Sequence, residues 1–500
     1  MNKILVIIVI VTLSIPTVVS TSSFFNGKKN HIVEVSVLDD YDPLVDISVT
    51  IEIQAIRYLE KEEPSVLFKE LSDIFFLKKL LFRETFLDNN PSFYVKVSIN
   101  EEEFTSNIWS NTKYVYSPNW NATLNVPDEE ELVNIKIQLL DSANNNTFCD
   151  ISADEGELVE SRDVEIVYNT KTGHWTGDDE PEDYSGYGRL SGTDDGTIYE
   201  NDLDCELWFD IYQNDADGDR IPYWAEVYLL GTDPKVNDTL LDPDNDDIPT
   251  YWEWKWGYDP ILWINHKNLD PDYDSINNYE EYLTSEWFSD PYRKDVFVEM
   301  DKMADGPNGE ITYFPVEAKE IIQTAFNRQN IVYHLDMGKM GGYDIVPFDG
   351  DIGRSDLNNI YVNYFLHNDE DNWRRGVFHY GLVIYYEDIP GYVFRSNAYQ
   401  IASAGLEDKL KYFFLDRDIV YGSAYMHELG HTFAFNPIPG HNQNSKYPWQ
   451  LGFWLNRPYK SCMNYGWMYK LVDYSDGSRE SPDIDDWERI NYYAFEHEWG

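Results

Sequence analysis

The chain has 500 residues, with 90 Asp and Glu against 38 Lys and Arg, so its formal net charge is −52. This balance argues against nucleic acid and anionic membrane surfaces as partners, because both are bound through an excess of Lys and Arg. Apolar residues make up 42% of the chain and aromatic residues 16%, which predicts roughly three or four packed domains and excludes a disordered acidic chain.

The first twenty residues have the pattern of an export signal. A basic start at Lys3 is followed by an apolar run, Ile4–Val19, and then by small residues. The pattern is typical of a cleavable signal peptide over residues 1–20, with an uncleaved anchor as the second choice because the run is short and contains Pro16. We expect the mature chain to lack a transmembrane segment and to be secreted or held at the cell surface.

Residues 29–212 alternate short β-rich runs with turn clusters, which predicts an antiparallel β-sandwich. An insertion, Glu63–Phe86, has apolar residues at helical spacing and is predicted to be a helix. In an exported chain Cys149 and Cys205 could form a disulfide, although their spacing does not prove it. The predicted strands include Ile32–Val37, Ile47–Ile53, Ser92–Ile99, Val133–Leu140 and Val164–Val167.

Three landmarks in this region follow one another in a fixed order: the strand Phe93–Val97, the turn Pro118–Asn121 and the strand Ile135–Asp141. In this order the segment resembles the calcium- and phospholipid-binding β-sandwich of synaptotagmins. That family holds calcium in Asp-rich loops at one end of the sandwich. Asp141 and Asp150 fit such loops, but Ala143 stands where a second loop Asp is expected. The resemblance therefore implies the fold and not a calcium site here.

Residues 213–291 contain three copies of one acidic loop, which begin at Asp215, Asp242 and Asp270. Each copy has carboxylates at loop positions 1, 3, 5 and 12 and an apolar residue at position 7, the ligand spacing of an EF-hand-type calcium loop. Three copies in register outweigh the alternative of a run of solvated acids. The predicted calcium ligands are Asp215, Asp217, Asp219, Ile221 and Glu226; Asp242, Asp244, Asp246, Ile248 and Glu253; and Asp270, Asp272, Asp274, Ile276 and Glu281.

Position 6 of these loops departs from the EF-hand pattern, because Arg220, Asp247 and Ser275 stand where Gly is usual. Pro also follows position 7 in the first two copies. With these departures the segment resembles thrombospondin type 3 repeats and bacterial surface linkers more than paired EF-hands. The resemblance implies a connector that is stiffened by calcium.

Residues 292–500 change to an α/β pattern, which predicts a third domain. The strand around Tyr380–Tyr386 is expected to bind an extended peptide by edge pairing. The predicted elements are the strands Val296–Glu299, Ile331–Leu335 and Val377–Tyr386, the helix Pro315–Asn327 and a long helical segment, Asp418–Phe433.

The long helix carries a His-Glu-x-x-His sequence formed by His427, Glu428 and His431. Two histidines four residues apart lie on one face of a helix, so both imidazoles can bind one zinc ion. Glu428 can serve as the general base for a zinc-activated water. The alternative is a helix in which the histidines are incidental.

About thirty residues later comes the segment Ser461–Tyr465. Together with His-Glu-x-x-His, this segment resembles the second motif of the metzincin zinc endopeptidases, a tight turn with a Met beneath the zinc site. The resemblance covers about 200 residues. It implies that Met463 is the turn methionine and that Tyr465 is a catalytic group on the oxyanion side.

The third zinc ligand is not settled by the motif. In metzincins a Gly three residues after the second His precedes a third ligand, and here those two places are Ala434 and Pro437. Proline cannot bind zinc, and the nearest replacement is His441. We favour His441; Glu480 or Glu488 on a later helix, as in gluzincins, is the alternative.

The sequence thus predicts a multidomain protein with an N-terminal antiparallel β-sandwich, a calcium-loop connector and a C-terminal metzincin-like α/β domain. The expected function is a secreted endopeptidase that uses Zn²⁺ and Ca²⁺ and acts on protein or peptide substrates. The alternative is a calcium-dependent surface adhesion or scaffold protein with an inactive zinc site.

Overall fold

The computed structural model describes residues 47–59, 90–153, 162–178, 188–195, 203–350, 352–413 and 415–493. All of these residues belong to one compact unit, Pro43–Gly500. The expected signal peptide, the predicted strand Ile32–Val37 and the predicted helix Glu63–Phe86 lie outside the described residues. Within the described ranges, no helix has the length and apolar character needed to cross a membrane.

The N-terminal part consists of antiparallel β-sheets, as predicted. Its strands are β1 (Ile47–Tyr58), β2 (Phe93–Ile99), β3 (Glu102–Thr105), β4 (Tyr114–Val126), β5 (Leu132–Asp141), β6 (Thr147–Cys149), β7 (Val164–Asn169), β8 (Trp175–Gly177), β9 (Gly188–Ser191) and β10 (Cys205–Gln213). One sheet has the order β4-β1-β10-β9 and the other β3-β2-β5-β7-β8, with β6 beside β5. Alternate side chains of β2, β5, β7 and β10 are buried, which gives the two sheets one shared core.

Two features of this region differ from the sequence expectation. Pro118–Asn121 was expected to be a turn, but it lies inside β4. The register between β1 and β4 shifts at this place, where Ser117 and Asn119 have φ of 50° and 52°, so the turn-like residues form a bulge in a continuous strand. Cys149 and Cys205 are both buried and are not joined by a disulfide.

The connector holds three acidic loops, each followed by a short helix. The helices are α1 (Tyr223–Ala225, continued by the helical turn Glu226–Leu230), α2 (Thr250–Lys255) and α3 (Asn278–Thr284). Ile248, Trp252 and Trp256 form a small core of their own at the second loop. The fold of this segment therefore depends both on the burial of apolar side chains and on the conformation of the acidic loops.

The C-terminal part is a mixed α/β layer, which agrees with the coarse prediction. Its strands are β11 (Asp295–Met303), β12 (Val332–Asp336), β13 (Ile345–Val346), β14 (Phe378–Ile384), β15 (Gly391–Arg395) and β16 (Ala398–Ala402). Its helices are α4 (Val316–Asn327), α5 (Arg354–Ile360), α6 (Arg374–Val377), α7 (Ser403–Phe413), α8 (Arg417–Thr432) and α9 (Leu451–Leu455). In the described residues the sheet order is β12-β11-β14-β16-β15; the first three pairings are parallel, and β15 pairs with β16 antiparallel.

This sheet order corrects the expected peptide-binding strand. The segment around Tyr380–Tyr386 lies mainly in β14, which is hydrogen-bonded to β11 on one side and β16 on the other. A strand paired on both sides has no free backbone groups for a peptide. The strand at the β16 end of the sheet is β15, which pairs with β16 alone among the described residues.

A buried polar interface joins the sandwich to the α/β part. Arg57 of β1 lies 3.5 Å from Glu320 of α4 and donates a hydrogen bond to the Thr324 hydroxyl at 3.3 Å. Glu206 of β10 accepts a hydrogen bond from the Asn327 side-chain amide at 2.6 Å. Arg57, Glu206 and Glu320 are all buried, so the positive charge of Arg57 offsets the negative charges of the two glutamates.

Candidate metal centres

The three predicted zinc ligands come together at the end of α8. One ring nitrogen from each of His427, His431 and His441 lies within 4.8 Å of the other two. The Nε2 atoms of His427 and His441 are 3.3 Å apart. α8 brings two of the imidazoles to the same face, and its first turn is capped by the Asp416 side chain, which accepts hydrogen bonds from the backbone N–H groups of Asp418 and Ile419. The third imidazole arrives from the loop that follows the helix.

The donor set fits zinc. The Nδ1–H of His427 donates to the Cys462 carbonyl at 2.8 Å, which leaves the Nε2 lone pair facing the cluster. Tetrahedral zinc with Zn–N bonds of about 2.0–2.1 Å holds two ligand nitrogens about 3.4 Å apart. The separation of 3.3 Å between His427 and His441 matches this spacing.

The histidines are held in the neutral form that binds metal. Burial, followed by the neighbouring His431 and His441, lowers the pKa of His427 well below its ordinary value. Burial and then His441 lower the pKa of His431 to about 4. Burial also lowers the pKa of His441. At neutral pH all three imidazoles can therefore offer a lone pair without first losing a proton.

The loop after α8 explains how His441 reaches the cluster. α8 ends at Thr432, and Ala434 has a φ of 60°, which turns the chain away from the helix. Gly440 has a φ of 75°, and a Cβ at this position would lie 2.3 Å from Oδ1 of Asn464. Only glycine allows both this conformation and this close approach. The alternative ligands Glu480 and Glu488 are exposed and outside the cluster, and the later helix expected to carry them is not formed in the described residues after α9.

Glu428 follows His427 in α8 and is buried. It is 4% exposed, and burial raises the pKa of its carboxyl group to about 8. A Cβ built on Gly391 would lie 2.5 Å from Oε1 of Glu428. The first residue of β15 therefore packs directly against the carboxylate, so this strand contacts α8 at Glu428.

Met463 packs against α8, and Tyr465 lies beside two of the imidazole rings. A Cβ on Gly430, between the two helical histidines, would lie 2.5 Å from Sδ of Met463, so the fully buried methionine packs against α8 at this position. The ring centroid of Tyr465 is 4.4 Å from that of His441 and 5.8 Å from that of His427. Burial, followed by the charge of Glu428, raises the pKa of the Tyr465 hydroxyl. The hydroxyl is therefore protonated at neutral pH and able to donate a hydrogen bond.

The three acidic loops share one geometry. In each loop the carboxylate at position 1 accepts the backbone N–H of position 6, at 2.6, 3.0 and 3.1 Å in chain order. The carboxylate at position 5 accepts the N–H of the position-7 isoleucine at 2.9, 2.9 and 2.7 Å. Position 6 has a φ of 70°, 79° and 78°. The position-1 and position-6 pairs are Asp215 with Arg220, Asp242 with Asp247, and Asp270 with Ser275. The repeat is therefore structural as well as sequential, although no glycine occupies position 6.

The loops bury carboxylates that repel one another. The position-12 glutamates Glu226, Glu253 and Glu281 are each at most 1% exposed, and the position-7 residues Ile221, Ile248 and Ile276 are buried beside them. Burial, followed by the charges of the loop aspartates, raises the pKa of Glu226 to about 8. Burial raises the pKa of Glu253 to about 7, and burial with Asp274 and Asp295 raises that of Asp272 to about 11.

The clusters differ in membership from the predicted ligand sets. Among the described residues, four acidic groups each bring one ligand atom per residue within 4.8 Å of the others. Asp242 and Glu226 lie outside these groups, whereas His266 and Asp295 join them without having been predicted. Both stand outside the twelve-residue loops, so the spacing carries no signal for them. The groups are Asp215, Asp217 and Asp219; Asp244, Asp246, Glu253 and His266; Asp270, Asp272 and Asp274; and Asp274, Glu281 and Asp295.

No protein-family model and no curated protein matches the sequence. Among solved structures, the chain is similar to human GIVD cytosolic phospholipase A2 in complex with methyl gamma-linolenyl fluorophosphonate inhibitor and terbium chloride, at 10% identity and a TM-score of 0.18, covering 34% of this chain and 17% of that one. It is also similar to a structure of Extended-Synaptotagmin 2 that contains its SMP domain and two C2 domains, at 11% identity and a TM-score of 0.18, covering 33% and 28% of the two chains. A structure of a C2 domain matches at 9% identity and a TM-score of 0.16, covering 34% and 98%. The chain thus spans less than a third of the first two proteins, and at these TM-scores the likenesses carry no argument about fold or activity.

Proposed function

We propose that the protein is a zinc-dependent endopeptidase of metzincin type that hydrolyses peptide bonds in protein or peptide substrates. The observation that carries the proposal is the meeting of three neutral imidazoles, from His427, His431 and His441, at the end of the helix that also carries the buried Glu428. If the His-Glu-x-x-His sequence were incidental, a third histidine from a separate loop would not be expected to lie with its ring nitrogen close to those of His427 and His431.

The side chains around the cluster can divide the chemistry among them. Zinc, when bound, supplies a Lewis acid that polarises the scissile carbonyl and activates water. With zinc bound, its charge would favour the ionised form of Glu428, which then accepts the proton of the attacking water on a carboxylate oxygen and returns it to the leaving amine. Tyr465 donates its hydroxyl proton in a hydrogen bond to the developing oxyanion. The Cys462 carbonyl holds the ring of His427 in orientation, and Met463 packs against the helix at Gly430.

The edge strand offers a place for an extended substrate. β15 (Gly391–Arg395) is the last strand of the sheet among the described residues, and its first residue touches Glu428. A peptide paired with this edge through main-chain hydrogen bonds would pass the carboxylate and the imidazoles. Backbone pairing suits an endopeptidase because it recognises the interior of a chain and not its end.

The same proposal includes export and calcium. The N-terminal pattern supports secretion or surface display, and the shared geometry of the three loops supports one calcium ion in each. The connector would then be rigid only when calcium is bound. Bound calcium would compensate the negative charges of the acidic clusters, which otherwise repel one another, and would thereby stabilise the folded connector.

The test is proteolysis of casein and of a peptide library, with and without a zinc chelator. Wild-type protein should cleave and should lose activity on chelation. Glu428→Gln should retain one zinc per chain by metal analysis and lose roughly 10²–10⁴-fold in rate. Glu488→Gln, which changes an exposed glutamate, serves as the matched control and should remain fully active.

Two results would count against the proposal. Full activity of Glu428→Gln would remove the assigned base. Stoichiometric zinc without cleavage of any peptide in the wild type would favour the adhesion or scaffold alternative, in which the zinc site is inert.

A further inference from the structure

The third acidic loop is joined by a carboxylate from the α/β domain. Asp295 is the first residue of β11 and is 2% exposed. One of its oxygens lies within 4.8 Å of oxygens from Asp274 and Glu281, which hold positions 5 and 12 of the loop. Three carboxylates from two parts of the chain therefore meet at one place.

Two carboxylates of the third loop, those of Glu281 and Asp272, have buried oxygens without a hydrogen-bond partner in the described part of the chain. Glu281 is 1% exposed, and among the described residues neither of its oxygens has a hydrogen-bond partner. Asp272 Oδ2 is buried and also lacks a partner within the described part of the chain. Buried carboxylates persist in a folded protein when they are paired or bound to a metal. Glu281 points into a group of acids, so a cation is the partner that fits it.

Asp295 is held by hydrogen bonds to both the α/β domain and the connector. Its Oδ1 accepts a hydrogen bond from Nε2 of His334 on β12 at 2.5 Å, and its Oδ2 accepts the backbone N–H of Asp290 at 2.8 Å. Its own N–H donates to Oδ2 of Asp274 at 2.6 Å. A carboxylate oxygen with one hydrogen bond still has a lone pair for a metal. Asp295 can therefore bind a cation while it remains bonded to β12.

The other two loops lack such a link. Within the described residues, the second cluster is completed by His266, which belongs to the connector, and the first consists of loop aspartates alone. Among the acidic clusters found in the described residues, the third alone includes a residue of the α/β sheet.

We propose that Asp295 is a ligand of the cation in the third loop, so that this calcium ion joins the connector to strands β11 and β12 of the α/β domain. The inference rests on the proposal that the loops bind calcium, and it is independent of peptidase activity. Calcium at this loop orders the beginning of the sheet, whereas calcium at the other two loops stiffens the connector alone.

The test measures calcium binding by titration calorimetry on the full, zinc-loaded chain and on two variants, Asp295→Asn and Glu253→Gln. Hydrogen exchange followed by mass spectrometry reports on β11 and β12 at each calcium concentration. Wild type should bind three calcium ions, and each variant should weaken one site by roughly tenfold or more, because ligand charge sets calcium affinity. Calcium should slow exchange in β11 and β12 of the wild type and of Glu253→Gln. In Asp295→Asn the same protection should need roughly tenfold more calcium.

Three unweakened sites in Asp295→Asn would overturn the inference while leaving the calcium loops intact. Equal loss of β11 protection in Glu253→Gln would also overturn it, because the effect would then be general. A wild type that binds no calcium would instead refute the calcium proposal for all three loops, and the inference with it. If Asp295→Asn does not fold, the wild-type exchange titration decides alone, since β11 protection that does not respond to calcium is incompatible with a shared ion.

Discussion

Replacing Gly391 by alanine tests whether the edge strand sets the position of Glu428. A Cβ at this position would lie 2.5 Å from Oε1 of Glu428 and 2.9 Å from its Cγ and Cδ. Carbon atoms in contact prefer a separation of about 3.5–4.0 Å, so the glutamate side chain must retreat by roughly 0.6–1 Å. The backbone at Gly391 is outside the left-handed region, so alanine itself introduces no strain.

The expected effect falls on catalysis and not on folding. A displacement of about 1 Å in a catalytic group costs on the order of 100-fold in rate, so kcat/KM of Gly391→Ala should fall by about that factor. The clash involves the end of a flexible side chain, and the free energy of unfolding should change by less than the roughly 1–3 kcal/mol typical of an overpacked core. Bound zinc should stay at one per chain, because no histidine is touched.

The assays are peptide hydrolysis, metal analysis and urea unfolding. Gly350→Ala is the matched control, since its Cβ would meet Phe348 at an ordinary 3.6 Å. The double variant Gly391→Ala/Glu428→Gln should be no slower than Glu428→Gln alone, because alanine acts only through the displaced carboxylate. Wild-type activity in Gly391→Ala, or an additional loss in the double variant, would refute the reasoning.

Three further predictions concern the metal sites and the interface between the sandwich and the α/β part. His441→Ala should lower bound zinc well below one per chain, whereas Glu480→Gln should leave the zinc content unchanged in the same metal analysis. Burial raises the pKa of Glu226 from 4.5 to about 8, so calcium-free protein holds a proton in the native state that the unfolded chain releases. Its Tm should therefore fall as the pH rises from about 4.5 to 8, and saturating calcium should flatten this fall in calorimetry; equal slopes would contradict the assignment. Arg57→Met should cost roughly 3–5 kcal/mol in urea unfolding, because Glu320 is left buried without its cation, and Glu320→Gln in the same chain should recover part of the loss.

The local parts of the candidate sites could be predicted because helix and loop geometry repeat at fixed spacing. Two histidines four residues apart must share a helix face, and His427 and His431 do so in α8. The acidic loops adopt the same hydrogen bonds three times because the same residue types stand at positions 1, 5 and 7. The antiparallel sheets and the mixed α/β part likewise followed from periodicity.

The choice among distant partners was made only by the tertiary structure. The sequence left open whether the third zinc ligand is His441 or one of two glutamates. In the structure the loop passes close to Asn464 at Gly440, and His441 lies beside His427. The prediction that the strand around Tyr380–Tyr386 pairs with a peptide was wrong. Sheet order depends on pairing between segments far apart in the chain, which the sequence pattern does not reveal.

What the sequence alone determined is therefore the set of chemical groups and the local spacing at which they repeat. The entry of His266 and Asp295 into the acidic clusters, and the contact of Gly391 with Glu428, came only from the packing of whole elements. Spacing along a helix or loop is set by backbone geometry within a few residues. Contacts between elements depend on which apolar faces are buried together, and many sequence separations satisfy that condition equally well.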